Sequence, residues 1–350
     1  MYPLPEGCFA PRNQWYIAAW ADEVTRAPME RWILNEPVAF YRTEGGRAVA
    51  LEGRCPHRHF PLGKSRLVGD DLECLYHGIT FGPTGACVRI PSQGMVPAGC
   101  KVKAYPLVER WKWLWIWMGD PALADESLIP DHREIGLTDP EFLVESGTYH
   151  AVPGRYMLMH DNLFDLTHLG FLHKTSIGAG DFGSVDEQRE NGDTWISSRR
   201  EFPDIDCPPL FSKVFGYEGK IDRAFGMKLY LPCLHAGYDF FSKSASAADD
   251  PGAPLGKIRV YHAITPATRN TAHYFFAFGR TFKHEDAEFG RAMLAGLNAV
   301  IEEDLLATRE IEAMLTTLGS APGEVLLKAD ATCVRGRRLF EGLIRKEQAA

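Results

Sequence analysis

The sequence predicts an α+β protein in two parts: a small all-β domain at residues 1–120, then a larger α+β domain at residues 121–350. Three observations carry this expectation. Short alternating segments broken by turn signals fill the first third. A punctuated polar stretch follows, and a long amphipathic helix lies near the end. At 350 residues the chain exceeds one average core and suits two.

In the first part, Arg31-Trp32-Ile33-Leu34 and Pro37 through Arg42 read as strands, with Gly45-Gly46 as a turn. The clearest strand has Trp111, Trp113, Trp115 and Trp117 alternating with Lys112, Leu114 and Ile116, a period of two that packs indoles into a core. Gly119, Pro121, Pro130, Asp139 and Pro140 then mark a linker. Strand-like runs return at Gly226–Leu231 and Ala272–Phe278. Residues 242–257, rich in Ser, Ala, Asp, Gly and Pro, read as a mobile loop. Residues 285–318 read as one helix stopped by Gly319.

Composition excludes some functions. A net charge of −8 argues against a broad nucleic-acid-binding face. No apolar run reaches the eighteen or so residues that would span a membrane, and Met1 to Trp20 lacks the pattern of a signal peptide. Eight cysteines do not make a disulfide scaffold in a chain of this length. The expectation is a cytoplasmic protein with Cys8, Cys87, Cys100, Cys207, Cys233 and Cys333 as free thiols.

Two constellations point to metals. Cys55-Pro56-His57 and, after sixteen intervening residues, Cys74-Leu75-Tyr76-His77 offer two thiolates and two imidazoles from short loops. Such a set holds either Zn²⁺ or a [2Fe–2S] cluster with cysteines on one iron and histidines on the other. Each loop supplies one of each type, which suits the cluster. With Arg58, Gly78, Phe81, Gly85 and Pro91, these loops resemble those of Rieske proteins. Leu75 and Ile79 depart from the common pattern, and His59 reads as a surface or outer-layer histidine.

The second constellation is Asp165-Leu166-Thr167-His168-Leu169-Gly170-Phe171-Leu172-His173. On a helix Asp165 and His168 share a face, so the carboxylate can orient the imidazole. His173 lies five beyond His168, roughly 140° around an ideal helix, so shared binding requires the helix to end or distort, as Gly170 permits. Downstream, Met293, Leu297, Ile301, Asp304, Thr308, Ile311 and Leu315 trace one face, which puts Asp304 in an apolar stripe while Glu302 and Glu303 point elsewhere. A buried carboxylate needs a partner, and a metal shared with both histidines supplies one. Two His and one carboxylate form the facial triad of non-haem Fe(II) oxygenases.

Asp161-Asn162-Leu163, Asp165-x-x-His168-x4-His173 and Glu303-Asp304 together resemble the catalytic domain of Rieske oxygenases. Asp165-Leu166-Thr167-His168, Ile90-Pro91-Ser92-Gln93 and Ile264-Thr265-Pro266 are most similar to the vanillate O-demethylase oxygenase group. Glu310-Ile311-Glu312 departs from the Glu-x-Gln of many relatives.

The resemblance implies an antiparallel, helix-grip-like sheet in the second domain. It implies a Rieske [2Fe–2S] cluster on Cys55, His57, Cys74 and His77, and mononuclear Fe(II) on His168, His173 and Asp304. Asn162 and Asp165 become catalytic candidates. O₂ is the co-substrate, NAD(P)H acts only through a separate reductase or ferredoxin, and the assembly is a homotrimer. Asp165 would then bridge His77 of one subunit to His168 of the next. The expected reaction is O-demethylation or monooxygenation of a methoxylated, vanillate-like aromatic compound.

Aromatic ring hydroxylation on the same iron and a zinc-stabilised binding protein are the alternatives. Gly178-Ala179-Gly180-Asp181-Phe182-Gly183 spells G-x-G-x-x-G, but without a preceding parallel strand it reads as a flexible loop rather than a dinucleotide site. Tyr217, His235, Tyr238, His262 and His273 are pocket candidates without an assigned role.

Overall fold

A computed structural model describes residues 9–178, 183, 185–319 and 323–349. The chain forms two compact units: Ala10–Ile129 with Thr265–Arg269, and Pro130–Ile264 with Asn270–Ala350. Cys8 and residues 179–182 of the glycine-rich motif lie outside the described residues.

The first unit is built from three small sheets. Strands β1 (Trp15–Trp20), β9 (Leu107–Arg110) and β10 (Trp113–Trp117) pair in the order β1-β10-β9. Strands β2 (Met29–Ile33), β3 (Glu36–Arg42) and β4 (Ala48–Glu52) form a meander. Its first hairpin turns on Leu34 and Asn35, both at positive φ, as a tight two-residue connection requires. Strands β5 (Arg66–Val68), β6 (Asp71–Glu73), β7 (Thr80–Phe81) and β8 (Cys87–Arg89) complete the unit. The indoles of Trp113, Trp115 and Trp117 are buried, with Trp117 set edge-on to Trp15 at 5.5 Å. Trp111 differs from expectation: its φ of 58° places it in the turn before β10.

The second unit is organised on a seven-stranded sheet. Its strands are β11 (Leu143–Val152), β12 (Gln188–Asn191), β13 (Trp195–Asp206), β14 (Lys220–Tyr230), β15 (Leu234–Lys243), β16 (Pro254–Thr268) and β17 (Thr271–Arg280). They lie in the order β11-β17-β16-β15-β14-β13-β12, and the ladders β11–β17 and β12 through β16 are antiparallel. The loop expected at 242–257 is shorter, because β15 continues to Lys243 and β16 starts at Pro254. Its start is tied down, since the Ser244 hydroxyl donates to Asp204 at 2.7 Å.

Helices α1 (Tyr156–Phe164), α2 (Pro209–Phe215), α3 (Ala287–Leu318) and α4 (Ala331–Ala349) accompany the sheet. Asp286 caps α3 by accepting from the Phe289 N–H, and Gly319 ends it at φ 68°. The apolar stripe of α3 is buried at Met293, Leu297, Ile301, Asp304, Thr308 and Leu315. Ile311 is the exception at 47% exposed, and Glu312 is buried in its place. From Thr308 the buried face advances by four residues rather than three. That step brings the Glu312 carboxylate to Arg155, beside the start of α1, at 2.6 and 2.7 Å.

Candidate metal centres and substrate pocket

The two Cys-His loops of the first unit share one backbone design. Cys55 N–H donates to Phe60 O and Cys74 N–H to Ile79 O, five residues on in each case. The carbonyls of Cys55 and Cys74 accept from His59 N–H and Gly78 N–H, four residues on, both at 2.8 Å. His59 and Gly78 occupy matching left-handed positions, with φ of 57° and 72°. His59 is therefore an exposed turn residue, and its partner loop uses the residue that tolerates this conformation best. The loops bury both thiols and leave the His57 and His77 rings exposed, 4.6 Å apart. A buried thiol pair beneath a solvent-facing imidazole pair fits a cluster with chemically distinct irons.

In the second unit, α1 ends at Phe164 and a 3₁₀ turn covers Leu166–Gly170, so the helix breaks before His173 as the spacing requires. Asp165 stands at this junction and does not share a helical face with His168. Its carboxylate caps the turn, accepting from Thr167 N–H at 2.9 Å and Thr167 Oγ1 at 2.6 Å. The Asp165 backbone carbonyl, not its side chain, accepts from His168 Nδ1. The local reason is competition: an Asp before a 3₁₀ turn satisfies orphan donors more readily than it reaches forward to a side chain.

His168, His173 and Asp304 come together with their donor atoms within 4.8 Å of one another. Asp304 Oδ1 lies 2.9 Å from His173 Nε2 and 3.5 Å from His168 Nε2. Both imidazoles turn Nδ1 to another acceptor, which directs Nε2 inward. For His173 that acceptor is Glu303 Oε2 at 2.6 Å, with Ser176 Oγ also bound to Glu303 at 3.2 Å. Glu303 therefore does not point away from the site as the helical face suggested. A carboxylate behind a ligand histidine fixes its tautomer and raises its basicity. Asn162 Nδ2 donates to Asp304 Oδ1 at 2.9 Å, while its buried Oδ1 has no hydrogen-bond partner.

Burial opposes ionisation of Asp304, yet hydrogen bonds to His168 and His173 outweigh it and hold the carboxyl below its usual range. Burial likewise lowers His173, but Asp304 and Glu303 pull its net shift upward. Without a cation this is a concentrated buried charge cluster. A divalent metal on the two Nε2 atoms and one carboxylate oxygen would satisfy it, so the donor set fits non-haem iron.

These groups open on a cavity whose wall is one face of the sheet. Alternate residues line it: Arg223, Phe225 and Met227 from β14, Asp239 from β15, Ile258, Val260 and His262 from β16. His262 Nδ1 hydrogen-bonds the Tyr274 hydroxyl, and burial pushes the imidazole down to about 4, so it is neutral at pH 7. Of the five unassigned candidates, His262 lines the cavity. His235 pairs with His160 at 2.7 Å in the core, and His273 bonds Tyr149 at 3.0 Å. Sequence reasoning missed Arg223, Asp239, Tyr274 and Glu303. A charge at an inward position of an otherwise apolar strand was the available signal for the first two.

Residues 14–106 match the Rieske [2Fe-2S] domain, and residues 152–346 match the vanillate O-demethylase oxygenase C-terminal domain. The chain belongs to the Rieske non-haem iron oxygenases. It is 37% identical to the iron-sulfur subunit of a toluene-4-sulfonate monooxygenase system of Comamonas testosteroni, covering 96% of this chain and 97% of the relative. The oxygenase component of a dicamba O-demethylase from Stenotrophomonas maltophilia is 33% identical, covering 97% of this chain and 99% of that one. A crystal structure of dicamba monooxygenase bound to dicamba superposes with a TM-score of 0.83 at 32% identity, covering 97% of this chain and 99% of the other. A vanillate O-demethylase oxygenase subunit from Pseudomonas is 32% identical over 97% of this chain and 96% of its own length.

The expected fold class, with its all-β Rieske domain followed by an α+β oxygenase domain, is borne out, and the zinc-scaffold alternative gives way to a redox enzyme. As in its relatives, a Rieske oxygenase of this kind is one component of a multicomponent system. No helix among the described residues is long and apolar enough to cross a membrane.

Proposed function

We propose that this Rieske oxygenase O-demethylates a methoxylated aromatic compound, with Cys55, His57, Cys74 and His77 holding the cluster and His168, His173 and Asp304 holding Fe(II). The observation that carries this reading is the three-donor set opening directly on an apolar cavity walled by the sheet. Demethylase relatives acting on dicamba and vanillate support the reaction type. When bound, the cluster would carry single electrons and the iron would activate O₂.

The residues around the site divide the remaining work. Leu163, Ile258 and Phe276 offer apolar walls that can hold a ring and exclude water. Glu303 and the Asp165 carbonyl fix the two imidazoles, and Asn162 restrains the Asp304 carboxylate. The net reaction consumes the methoxyarene, O₂, two electrons and two protons. One oxygen enters the methyl group and the other leaves as water, and the hemiacetal collapses to a phenol and formaldehyde.

Electrons come from NAD(P)H through a separate reductase or ferredoxin, in the cytoplasm. The working unit is a homotrimer in which Asp165 links His168 to His77 of a neighbouring copy. Asp165 Oδ2, which has no hydrogen-bond partner among the described residues, is the atom suited to that contact. The test is to supply the holoprotein with a surrogate reductase, NADH and O₂, then screen methoxyarenes for formaldehyde. Formaldehyde equal to phenol formed supports the reading. A ring-hydroxylated product with its methoxy group intact would replace it with aromatic hydroxylation.

A further inference from the structure

Arg223 and Asp239 form a closed ion pair in the cavity wall. Arg223 Nε and Nη2 donate to the two Asp239 oxygens at 2.8 and 2.7 Å, and Nη1 donates to the Ile177 carbonyl at 3.1 Å. Every guanidinium nitrogen thus has a protein partner, and the side chain is fully buried. The rings of Phe211, Phe225 and Phe241 surround it at 5.4, 5.5 and 5.4 Å. Bidentate pairing and three aromatic faces fix its position.

The pair contributes two charges that sum to zero. Arg223 is the one Arg or Lys among the described residues lining the cavity. Residues 179–182 and 184 are Ala, Gly, Asp, Phe and Ser, which adds no cation by sequence. Besides this pair, the triad and Asn162, which donates to Asp304, the polar lining groups are His262 and Tyr274, a neutral hydrogen-bonded couple.

Strand register sets the placement. Asp239 stands opposite Phe225 and Ile258, whereas His262 stands opposite His235, four residues earlier on β15. At about 3.3 Å per residue these rows are roughly 13 Å apart along the sheet. His160 and Phe164 of α1 pack on His235 at 2.7 and 5.1 Å, and Asn162 between them donates to Asp304 at 2.9 Å, so the triad belongs to the His262 row. An arene with its oxidised methyl at the triad presents its opposite substituent toward Arg223 and Asp239.

An anionic substituent there would add a third charge to a balanced buried pair. It would leave net negative charge without a counterion or would have to displace Asp239, and either is unfavourable in a buried, largely apolar wall. A neutral substituent meets neither penalty. We propose that the Arg223–Asp239 pair makes this enzyme select aromatic substrates whose group opposite the oxidised methyl is uncharged. This rests on the demethylation reading for the substrate's orientation, but its test does not depend on turnover.

The experiment is equilibrium binding of 4-methoxybenzamide and 4-methoxybenzoate to the holoprotein at pH 7, by calorimetry, with formaldehyde release measured separately. The amide is expected to bind at least about tenfold more tightly than the carboxylate. Asp239→Asn unmasks the cation and shifts the ratio at least about tenfold toward the carboxylate. Asp239→Ala also removes the acid and leaves the Arg223 cation, so it is expected to shift the ratio in the same direction and covers the case in which Asp239→Asn does not fold. Equal affinities, tighter carboxylate binding, no measurable amide binding, or a ratio unmoved by Asp239→Asn would overturn the proposal. The expected ratio without formaldehyde from either compound would overturn demethylation and leave charge selection standing.

Discussion

The Cys-His loops and the triad pocket solve the problem of gathering metal donors in opposite ways. In the first unit all four donors lie between Cys55 and His77, on two loops with the same internal backbone bonds. Thiols face inward and imidazoles face solvent. In the second unit His173 meets a carboxylate 131 residues away, and the whole set is buried or nearly so. A local site can be specified by spacing and turn geometry. A distant one depends on how accurately α3 and the segment after α1 are fastened together, so surrounding packing matters more.

The sharpest separation should come from removing one donor on each side. Asp304→Ala is expected to lower formaldehyde formation by at least ~1000-fold, about 4 kcal/mol in barrier, while the visible spectrum of the cluster persists. Cys74→Ser should abolish that spectrum. Loss of the cluster spectrum in Asp304→Ala would show that the two regions are not independent.

Fastening is tested next by Glu312→Gln, which removes the carboxylate that pairs with Arg155 and should cost about 2–3 kcal/mol of stability in denaturant unfolding. Burial disfavours the Glu312 carboxylate, but hydrogen bonds from Arg155 more than offset this and depress its pKa. The sign follows directly. Stabilisation is full above the ordinary Glu value of about 4.5 and is lost as pH falls through the lower folded-state value. The variant should therefore lose its disadvantage in acid. A constant difference down to pH 2 would contradict the ion-pair account.

Behind the triad, Glu303→Gln should weaken Fe(II) binding by about 10–100-fold, read by metal titration, with the cluster unaffected. The smallest effects belong to the matched loop positions. Gly78→Ala forces an L side chain to φ 72° and sets a Cβ 2.9 Å from Pro91 Cγ, so it should destabilise by about 1–2 kcal/mol. His59→Gly should stay within about 1 kcal/mol of the parent. Equal penalties in thermal unfolding would deny the equivalence of the loops.

The same contrast explains what the sequence made legible. Cys55, His57, Cys74 and His77 could be read from spacing because the loops are self-contained. Asp304 could be read because a carboxylate interrupts an apolar helical stripe, and the break after Gly170 because His168 and His173 cannot share an ideal helical face. Glu303 was misread, since a side chain beside the stripe can still bend around to His173 from the adjacent helical position. Asp165 stands beside His168 as its spacing suggests, but its carboxylate caps the turn by accepting from Thr167, and its backbone carbonyl takes the His168 Nδ1 contact. Arg223 and Asp239 stand out in sequence as charges at inward strand positions, but that they share the cavity face follows from the β14–β15 register.

The central claim is that one chain carries a four-donor cluster site and a separate three-donor iron site. Iron and acid-labile sulfide, measured per chain in the parent and in Asp304→Ala, test it most directly. The account predicts three irons and two sulfides in the parent, and two of each in the variant. Three irons retained in Asp304→Ala, or sulfide lost together with the third iron, would contradict it.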